Sequence, residues 1–421
     1  MIDKKMSVFS AMSTESIESW ISQDVLKGRK IVETVVEDLV GPGENFGGEL
    51  LKLEVILEDE TTKVRDVLHV AEKKIPVSEM FQKLFNVQTS FQAEINFYDK
   101  LVPIFQNFQR ENNAKEIMDN FCQLYGYRLN LNGSKVVDRD AFILLENLTY
   151  SGFRNVNRYI GFTLEEAQLV LKNMAALHAV PLAIKLKKPE VFANEIRPLL
   201  TNDITQQNNN ININIGSLLE DILWESDKCA PILSKVIGAL KTAKTPQKYQ
   251  PREPYATLSH TDLWVNNIMI KHQNGEPVAC KFVDFQGYDY KSPAMDLLFF
   301  LLTSLQVDVL RDEFDILIKF YHKEFLNNLR ELGCDVEPFN LLKFEEELAT
   351  YALEVLQWCS GFILFIIYGP KEKPPVMEEP PPSFDPTGIT FRDELRKMVR
   401  LEAKEKIQTI VQIYYRKNWL K

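Results

Sequence analysis

Two apolar runs flank the pair Asn274-Gly275: Ile268 to Lys271 before it and Val278 to Asp284 after it. An Asn-Gly pair in this setting favours a two-residue turn, because both central residues of the turn that matches strand twist need positive φ. The chain is committed to a β-hairpin here, and a hairpin dictates which distant residues become neighbours. Asn267 stands seven residues before Asn274, and Asp284 stands nine after Gly275. Closing the turn therefore returns Asp284 to Asn267, so that an amide oxygen and a carboxylate converge at the open end.

Paired hard oxygen ligands are what Mg²⁺ takes from a protein when phosphates and waters fill its other positions. Asp262 lies five residues before Asn267 in the same segment, His260-Thr261-Asp262-Leu263-Trp264-Val265-Asn266-Asn267. It is placed to be a second carboxylate near the metal, free to accept a proton. The spacing His-x-Asp-x-x-x-x-Asn matches the kinase catalytic loop, and Val283-Asp284-Phe285 matches the metal-binding Asp-Phe motif. An isolated H-x-D carries little information. The joint pattern, with a hairpin between its halves, is specific. Thr261 replaces the Arg of H-R-D, Gln286 replaces the Gly of D-F-G, and no A-P-E follows. These departures favour a small-molecule kinase that phosphorylation does not switch over a protein kinase.

The first half of the chain is then expected to grip the nucleotide. Gly41, Gly43, Gly47 and Gly48, with Asn45 among them, precede two strand-like runs, Glu49 to Leu57 and Val64 to Ala71. The loop is neither G-x-G-x-x-G nor a Walker A sequence. Taken alone it reads as a flexible turn; ahead of a β-ribbon and with the catalytic loop accepted, it reads as a phosphate cover. Lys73 and Lys74 end the second run, and strand alternation does not choose between them. Residues 78–101 read as helical, with Phe91, Glu94, Ile95 and Tyr98 on one face. A carboxylate on a buried face needs a cationic partner, and a strand lysine paired to a helix glutamate is how kinases hold the α- and β-phosphates.

Elsewhere, residues 13–40 read as helical from the spacing of Ile17, Trp20, Ile21, Val25 and Leu26. Phe142 to Leu145 is a short apolar strand, and Ser151-Gly152 a connector. Thr163-x-x-Glu166 is a capping box. His178 ends the amphipathic helix that follows it and reads as a core histidine; His69, His272 and His322 read as incidental. Asp296 is either a plain helix N-cap or a brace for the catalytic loop. The tract from 201 to 216 and the segment from Pro370 to Pro386 read as loops. A small α+β part thus precedes a larger, mainly helical one.

Lys and Arg total 49 and Asp and Glu 59, a net charge of −10. That balance argues against nucleic acid as a partner. Five cysteines lie far apart, with no C-x-x-C pair, which fits a reducing compartment and excludes a zinc ribbon. The N-terminus lacks an apolar signal core. The most apolar run, Cys359 to Tyr368, is about half the roughly 20 residues of a membrane span. A cytoplasmic protein without a membrane span is expected.

The chain resembles the ecdysteroid kinase-like, or CHK kinase-like, family, relatives of choline kinases and aminoglycoside phosphotransferases. The resemblance runs from about residue 15 to 420. It is carried by HTDLWVNNIM (260 to 269), KFVDFQ (281 to 286) and SPAMDLLFFL (292 to 301), with weaker matches at GPGENFGGEL (41 to 50), KKIP (73 to 76), FQAEINFYDKLVP (91 to 103) and FILLENL (142 to 148). It implies a two-lobed protein-kinase-like α+β fold: a small lobe with an antiparallel sheet, residues 1–148, and a larger, mainly helical lobe, residues 149–421. It implies ATP and Mg²⁺ as cofactors, with Gly43, Asn45 and Gly47 over the nucleotide. Lys73, three residues before Pro76, would contact the phosphates and Glu94 would pair with it. Asp262 would be the catalytic base, His260 a further catalytic residue of the same loop, and Asn267 and Asp284 would hold the metal. Leu145 to Leu148 would be a hinge whose backbone, at Glu146 and Leu148, pairs with adenine. Two positions depart from the family: Ala71-Glu72 replaces an apolar pair, and Glu146-Asn147 replaces an acidic pair. The implied acceptor is a lipophilic small-molecule hydroxyl, such as an ecdysteroid or a xenobiotic alcohol. Trp358, Phe362, Phe365 and Tyr368 would line its pocket, or pack the core. The competing reading is a non-catalytic kinase-like protein that binds small ligands.

Overall fold

The computed structural model describes residues 19–38, 49–76, 82, 86–130, 136–200, 216–242, 252–369 and 399–421. The chain divides into two compact units, residues 1–98 with 122–151, and residues 99–121 with 152–421.

The first unit is built on one antiparallel sheet in the order β1-β2-β3-β5-β4. Its strands are β1 (Arg29–Asp38), β2 (Glu49–Asp59), β3 (Arg65–Lys74), β4 (Leu124–Arg128) and β5 (Phe142–Glu146). Strand β2 shows why: Leu53, Val55 and Leu57 are buried and alternate with Lys52, Glu54 and Glu58, the period of a half-buried strand. The buried side packs Ile21, Val25, Leu26, Ile31, Val70, Phe142 and Leu144 into one cluster.

Residues 13–40 are not one helix. Helix α1 covers only Gln23–Leu26, and Lys27 (φ 50°) and Gly28 (φ 77°) end it in left-handed conformations. The next residues, Ile31-Val32-Glu33-Thr34-Val35-Val36, are rich in β-branched side chains, which are stiff in helices and suit a pleated surface. Their pairing with β2 overrides the helical spacing of the preceding apolar residues. Helix α2 (Val87–Asn96) passes through a π-turn, Phe97–Leu101, into α3 (Val102–Glu111). α2 buries Val87, Phe91, Ala93 and Ile95, and with them Glu94.

The second unit carries the long helices α4 (Leu164–Lys187), α5 (Gly216–Trp224), α6 (Leu233–Thr242), α7 (Pro293–Ser304), α8 (Val307–Glu331), α9 (Leu341–Phe362) and α10 (Leu401–Arg416). Two small sheets join them: β6 (Phe153–Asn155), β8 (Ile268–Gln273) and β9 (Glu276–Phe282) form one, and β7 (Thr257–Ser259) pairs with β10 (Asp289–Lys291). The capping box starts α4: Thr163 Oγ1 accepts from Glu166 N–H at 3.3 Å, and Glu166 Oε2 accepts from Thr163 N–H at 2.9 Å. His178, expected at that helix's end, lies well inside it.

Helix α7 is buried nearly all round, as expected of a helix apolar on every side. Its far end is held from α10: buried Lys406 donates to the carbonyls of Thr303 and Leu305, both at 2.7 Å. Residues 99–121 belong to this unit through Lys281, which donates to Asp119 Oδ1 at 2.9 Å and to Phe121 C=O at 3.0 Å. By length and composition alone, α4 and the stretch Leu341–Ile367 would suffice to cross a bilayer; 67% and 50% of their apolar windows are buried inside the fold.

Candidate active site

The hairpin closes as the Asn-Gly pair requires. Gln273 pairs with Glu276, and Asn274 (φ 55°) and Gly275 (φ 89°) take the positive angles. At the open end Ile268 pairs with Phe282, and Val283 N–H donates to Asn267 C=O at 3.0 Å. Asn267 and Asp284 therefore leave adjacent backbone positions. Thr261 (φ 70°) and Asp284 (φ 67°) are both left-handed. For a β-branched residue such as Thr261 that conformation costs about 1–2 kcal/mol and persists only where neighbours impose it.

Asp296 imposes it. Its carboxylate accepts from the N–H groups of His260 (2.5 Å) and Thr261 (2.9 Å), and Nε2 of His178 sits 3.2 Å away. Tyr321 OH lies 2.7 Å from Nδ1 of the same histidine, so the imidazole donates to Asp296 and accepts from the tyrosine. A buried charge must be paired in this way. Burial opposes ionisation of Asp296, but the His178 hydrogen bond and the Thr261 N–H hold its carboxyl below the usual range. Of the two readings of Asp296, the brace holds; the N-cap of α7 is Ser292, whose hydroxyl accepts from Ala294 N–H at 3.3 Å. His178 is more than a core histidine. No local pattern reveals this, because His178 lies 118 residues from Asp296 and 143 from Tyr321.

His260 is fully buried, and its ring nitrogens both face backbone: Nε2 donates to Val283 C=O at 3.1 Å, and Nδ1 accepts from Asp262 N–H at 3.4 Å. Burial pushes its pKa down, which favours the neutral ring that this arrangement requires. Its nitrogens join the Asp262 loop to the Asp284 strand end. Phe285 packs on its ring at 4.5 Å between centroids and meets Phe121 edge-on at 5.5 Å.

Asn267 Nδ2 donates to the backbone oxygen of Asp262 (2.8 Å) and to its Oδ2 (2.9 Å). The amide is thereby oriented, with Oδ1 left as an acceptor. Burial, then the neighbouring charge of Asp284, push Asp262 up to about 8, against the hydrogen bond from Asn267. Two carboxylates close enough to repel and an amide oxygen fixed beside them are a donor set of the type that suits Mg²⁺. Among the described residues no group of three or more His, Cys, Asp or Glu could hold a metal unaided.

In the first unit Lys73 is buried and its Nζ meets Glu94 Oε2 at 2.5 Å; the side chains are 6% and 2% exposed. Lys74 is partly exposed and lies 3.5 Å from Glu72. The two lysines are thus distinguished by packing, which sequence alternation left open. After β5, Glu146 N–H donates to Gln123 C=O and Asn147 N–H to His69 C=O. Asn147 Oδ1 accepts from the N–H and hydroxyl of Thr149 and shapes the turn that follows. Glu146 takes a hydrogen bond from Ser151 on its side chain, and Leu148 is buried. Gly43, Asn45 and Gly47 lie outside the described residues.

An aromatic set borders the Asp262 loop. Trp264 meets Phe362 edge-on at 4.9 Å, Phe362 meets Phe299 at 5.1 Å, and Phe299 stacks on Trp358 at 4.6 Å with 11° between planes. Trp358 is 48% exposed, whereas Tyr368 is buried beside Tyr159. Trp264 and Phe299 were not singled out from the sequence, although both lie inside its most specific segments.

The model of the ecdysteroid kinase-like family matches residues 42–334. No curated protein matches significantly. Among solved structures, a choline kinase from Cryptosporidium parvum Iowa II is similar over 96% of this chain and 95% of its own, at 12% identity and a TM-score of 0.40. An ethanolamine kinase from Plasmodium vivax is similar over 93% and 90%, at 12% identity and 0.35. A GDP complex of wild-type aminoglycoside 2'-phosphotransferase-IIIa is similar over 83% and 98%, at 12% identity and 0.35.

Proposed function

Since the chain belongs to the ecdysteroid kinase-like family, we propose that it transfers the γ-phosphoryl group of ATP to a hydroxyl of a lipophilic small molecule, such as an ecdysteroid or a xenobiotic alcohol. The observation that carries this reading is the buried loop set: Asp262 hydrogen-bonded to Asn267, and both beside Asp284. Asp262 orients the acceptor hydroxyl and takes its proton, a role typically worth about 10² to 10⁴ in rate. Asn267 Oδ1 and the Asp284 carboxylate hold Mg²⁺. Bound Mg²⁺ supplies positive charge that neutralises the phosphates and favours the ionised form of Asp262. Lys73, held by Glu94, contacts the phosphates. The backbone of Glu146 and Leu148 pairs with adenine, and the loop containing Gly43, Asn45 and Gly47 covers the nucleotide.

The half-exposed face of Trp358 supports an acceptor with an apolar body. Five free cysteines support a reducing, cytoplasmic setting, and the net charge of −10 supports partners other than nucleic acid.

The test is a melting curve with ATP and Mg²⁺, followed by a coupled assay over steroid, phenolic and choline-like acceptors. Nucleotide at about 100 times its dissociation constant should add about 2.7 kcal/mol of stability. No shift at millimolar ATP overturns both kinase-based readings. A shift without phosphate transfer to any acceptor favours the non-catalytic ligand-binding protein.

A further inference from the structure

Thr261 has a φ of 70°, a region that a β-branched residue rarely enters. Glycine would hold that turn without strain, so a threonine here needs a reason in its side chain. Its hydroxyl donates to the Gly287 carbonyl at 2.7 Å. The pairing of β7 with β10 shows why the bond falls there. Asp289 lies opposite Ser259, and extending that register by two residues puts Thr261 opposite Gly287. The backbone cannot make the bond, because Thr261 N–H donates to Asp296 Oδ1 at 2.9 Å. The hydroxyl therefore continues the ladder where the backbone has left it.

Gly287 is fitted to that hydroxyl. A Cβ on Gly287 would lie 3.1 Å from Thr261 Oγ1, and no other atom beyond its two chain neighbours would come within 4 Å. Gly287 follows Asp284 by three residues, in the turn between β9 and β10. Hydrogen bonds tie the two segments on both sides of Asp284. His260 Nε2 donates to Val283 C=O at 3.1 Å before it, and Thr261 Oγ1 donates to Gly287 C=O after it. In a protein kinase, arginine orders a neighbouring loop by pairing with a phosphate added to it. Here a hydroxyl makes the bond with no modification.

We propose that Thr261 is a positioning residue for the metal-binding carboxylate: its hydroxyl latches the Asp284 turn to the loop that carries Asp262, so that the site is assembled without phosphorylation. The effect on turnover rests on the phosphotransfer reading, while the latch does not, so each has its own measurement.

The latch is read without activity, from amide hydrogen exchange of residues 284–291 by mass spectrometry. Thr261→Val keeps the shape and branching of threonine and loses the hydroxyl. Losing the bond should speed exchange there about fivefold, while Thr261→Ser, which keeps the hydroxyl, restores the parental rate. A second reading uses urea midpoints. Gly287→Ala should lower the midpoint in the parent, where the methyl meets Oγ1, and should cost nothing in Thr261→Gly, where that atom is gone. The kinetic arm uses ATP, Mg²⁺ and water or an accepted alcohol. Thr261→Val should raise the half-saturating Mg²⁺ concentration about fivefold and lower kcat, with the KM for the acceptor unchanged, and Thr261→Ser should restore both. A merely structural role would lower the midpoint of Thr261→Val and leave the Mg²⁺ requirement as it was. Parental exchange in Thr261→Val, or equal costs of Gly287→Ala in both backgrounds, overturns the latch. A parental Mg²⁺ requirement in Thr261→Val overturns its role in positioning Asp284. A parent that neither binds ATP with Mg²⁺ nor turns it over defeats the kinase reading instead, and the exchange rates and midpoints then decide the latch by themselves.

Discussion

Replacing Asp296 by Asn tests the brace under the catalytic loop. The carboxylate accepts from two backbone N–H groups and from His178. An amide of the same shape keeps one oxygen and turns an NH₂ group toward donors. The remaining bonds lose their charge assistance, and at least one buried donor is left without an acceptor. Charge-assisted bonds are worth about 1.5–3 kcal/mol against about 1 for neutral ones, and an orphaned buried donor costs about 1–3 kcal/mol. Relaxation of the left-handed Thr261 returns about 1–2 kcal/mol. The net loss is therefore about 3 kcal/mol. With a urea m-value of about 3 kcal/mol per M, the unfolding midpoint should fall by about 1 M, read by near-ultraviolet circular dichroism. Turnover should fall further than stability suggests, because a displacement of about 1 Å at a reacting group can cost about 10² in rate. His178→Gln disturbs one of the three donors and should give a smaller midpoint shift. If Asp296→Asn unfolds at the parental midpoint and turns over at the parental rate, the brace is not holding the loop and the reasoning fails.

Four further outcomes are expected. Lys73→Ala leaves Glu94 buried without its cation, a change worth about 3–5 kcal/mol, and weakens ATP use; Lys74→Ala, at a partly exposed site, should do far less, as melting curves and ATP titrations will show. Asp262→Asn should keep Mg²⁺-dependent ATP binding by calorimetry with turnover nearly gone, whereas Asp284→Asn should lose both; the reverse pattern would exchange their roles. Burial pushes Lys406 down to about 7, so above that pH the unfolded chain binds the extra proton and stability should rise with pH toward about 10, at up to 1.36 kcal/mol per unit. Lys406→Met should remove that rise, measured as the difference in urea midpoint between pH 7 and pH 9.5. Trp358→Ala should raise the KM for apolar acceptors about threefold to tenfold with kcat held; equal KM values would exclude Trp358 from the acceptor contact.

What the chain discloses on its own is whatever short-range chemistry dictates. The Asn274-Gly275 turn needs positive φ at two successive residues, which starts the hairpin; a one-residue shift of register between Lys271 and His272 then brings Ile268 opposite Phe282 and Asn267 beside Asp284. The capping box of α4 and the apolar strand at β5 are local in the same sense. The helical reading of 13–40 failed because strand pairing is a bargain between distant segments: Ile31 to Val36 gain more from β2 than from their own helix. The choice between Lys73 and Lys74 also needed tertiary structure, since alternation gives each lysine a face but not the identity of the face that meets Glu94. His260 draws notice by its place in the motif, but its two backbone contacts, one of them 23 residues away, became visible only in the fold. The network of His178, Asp296 and Tyr321 leaves no trace in any window of sequence. A buried carboxylate must find its donors wherever the fold delivers them: His178 on α4 reaches Asp296 on α7 across 118 residues of chain and Tyr321 on α8 across 143.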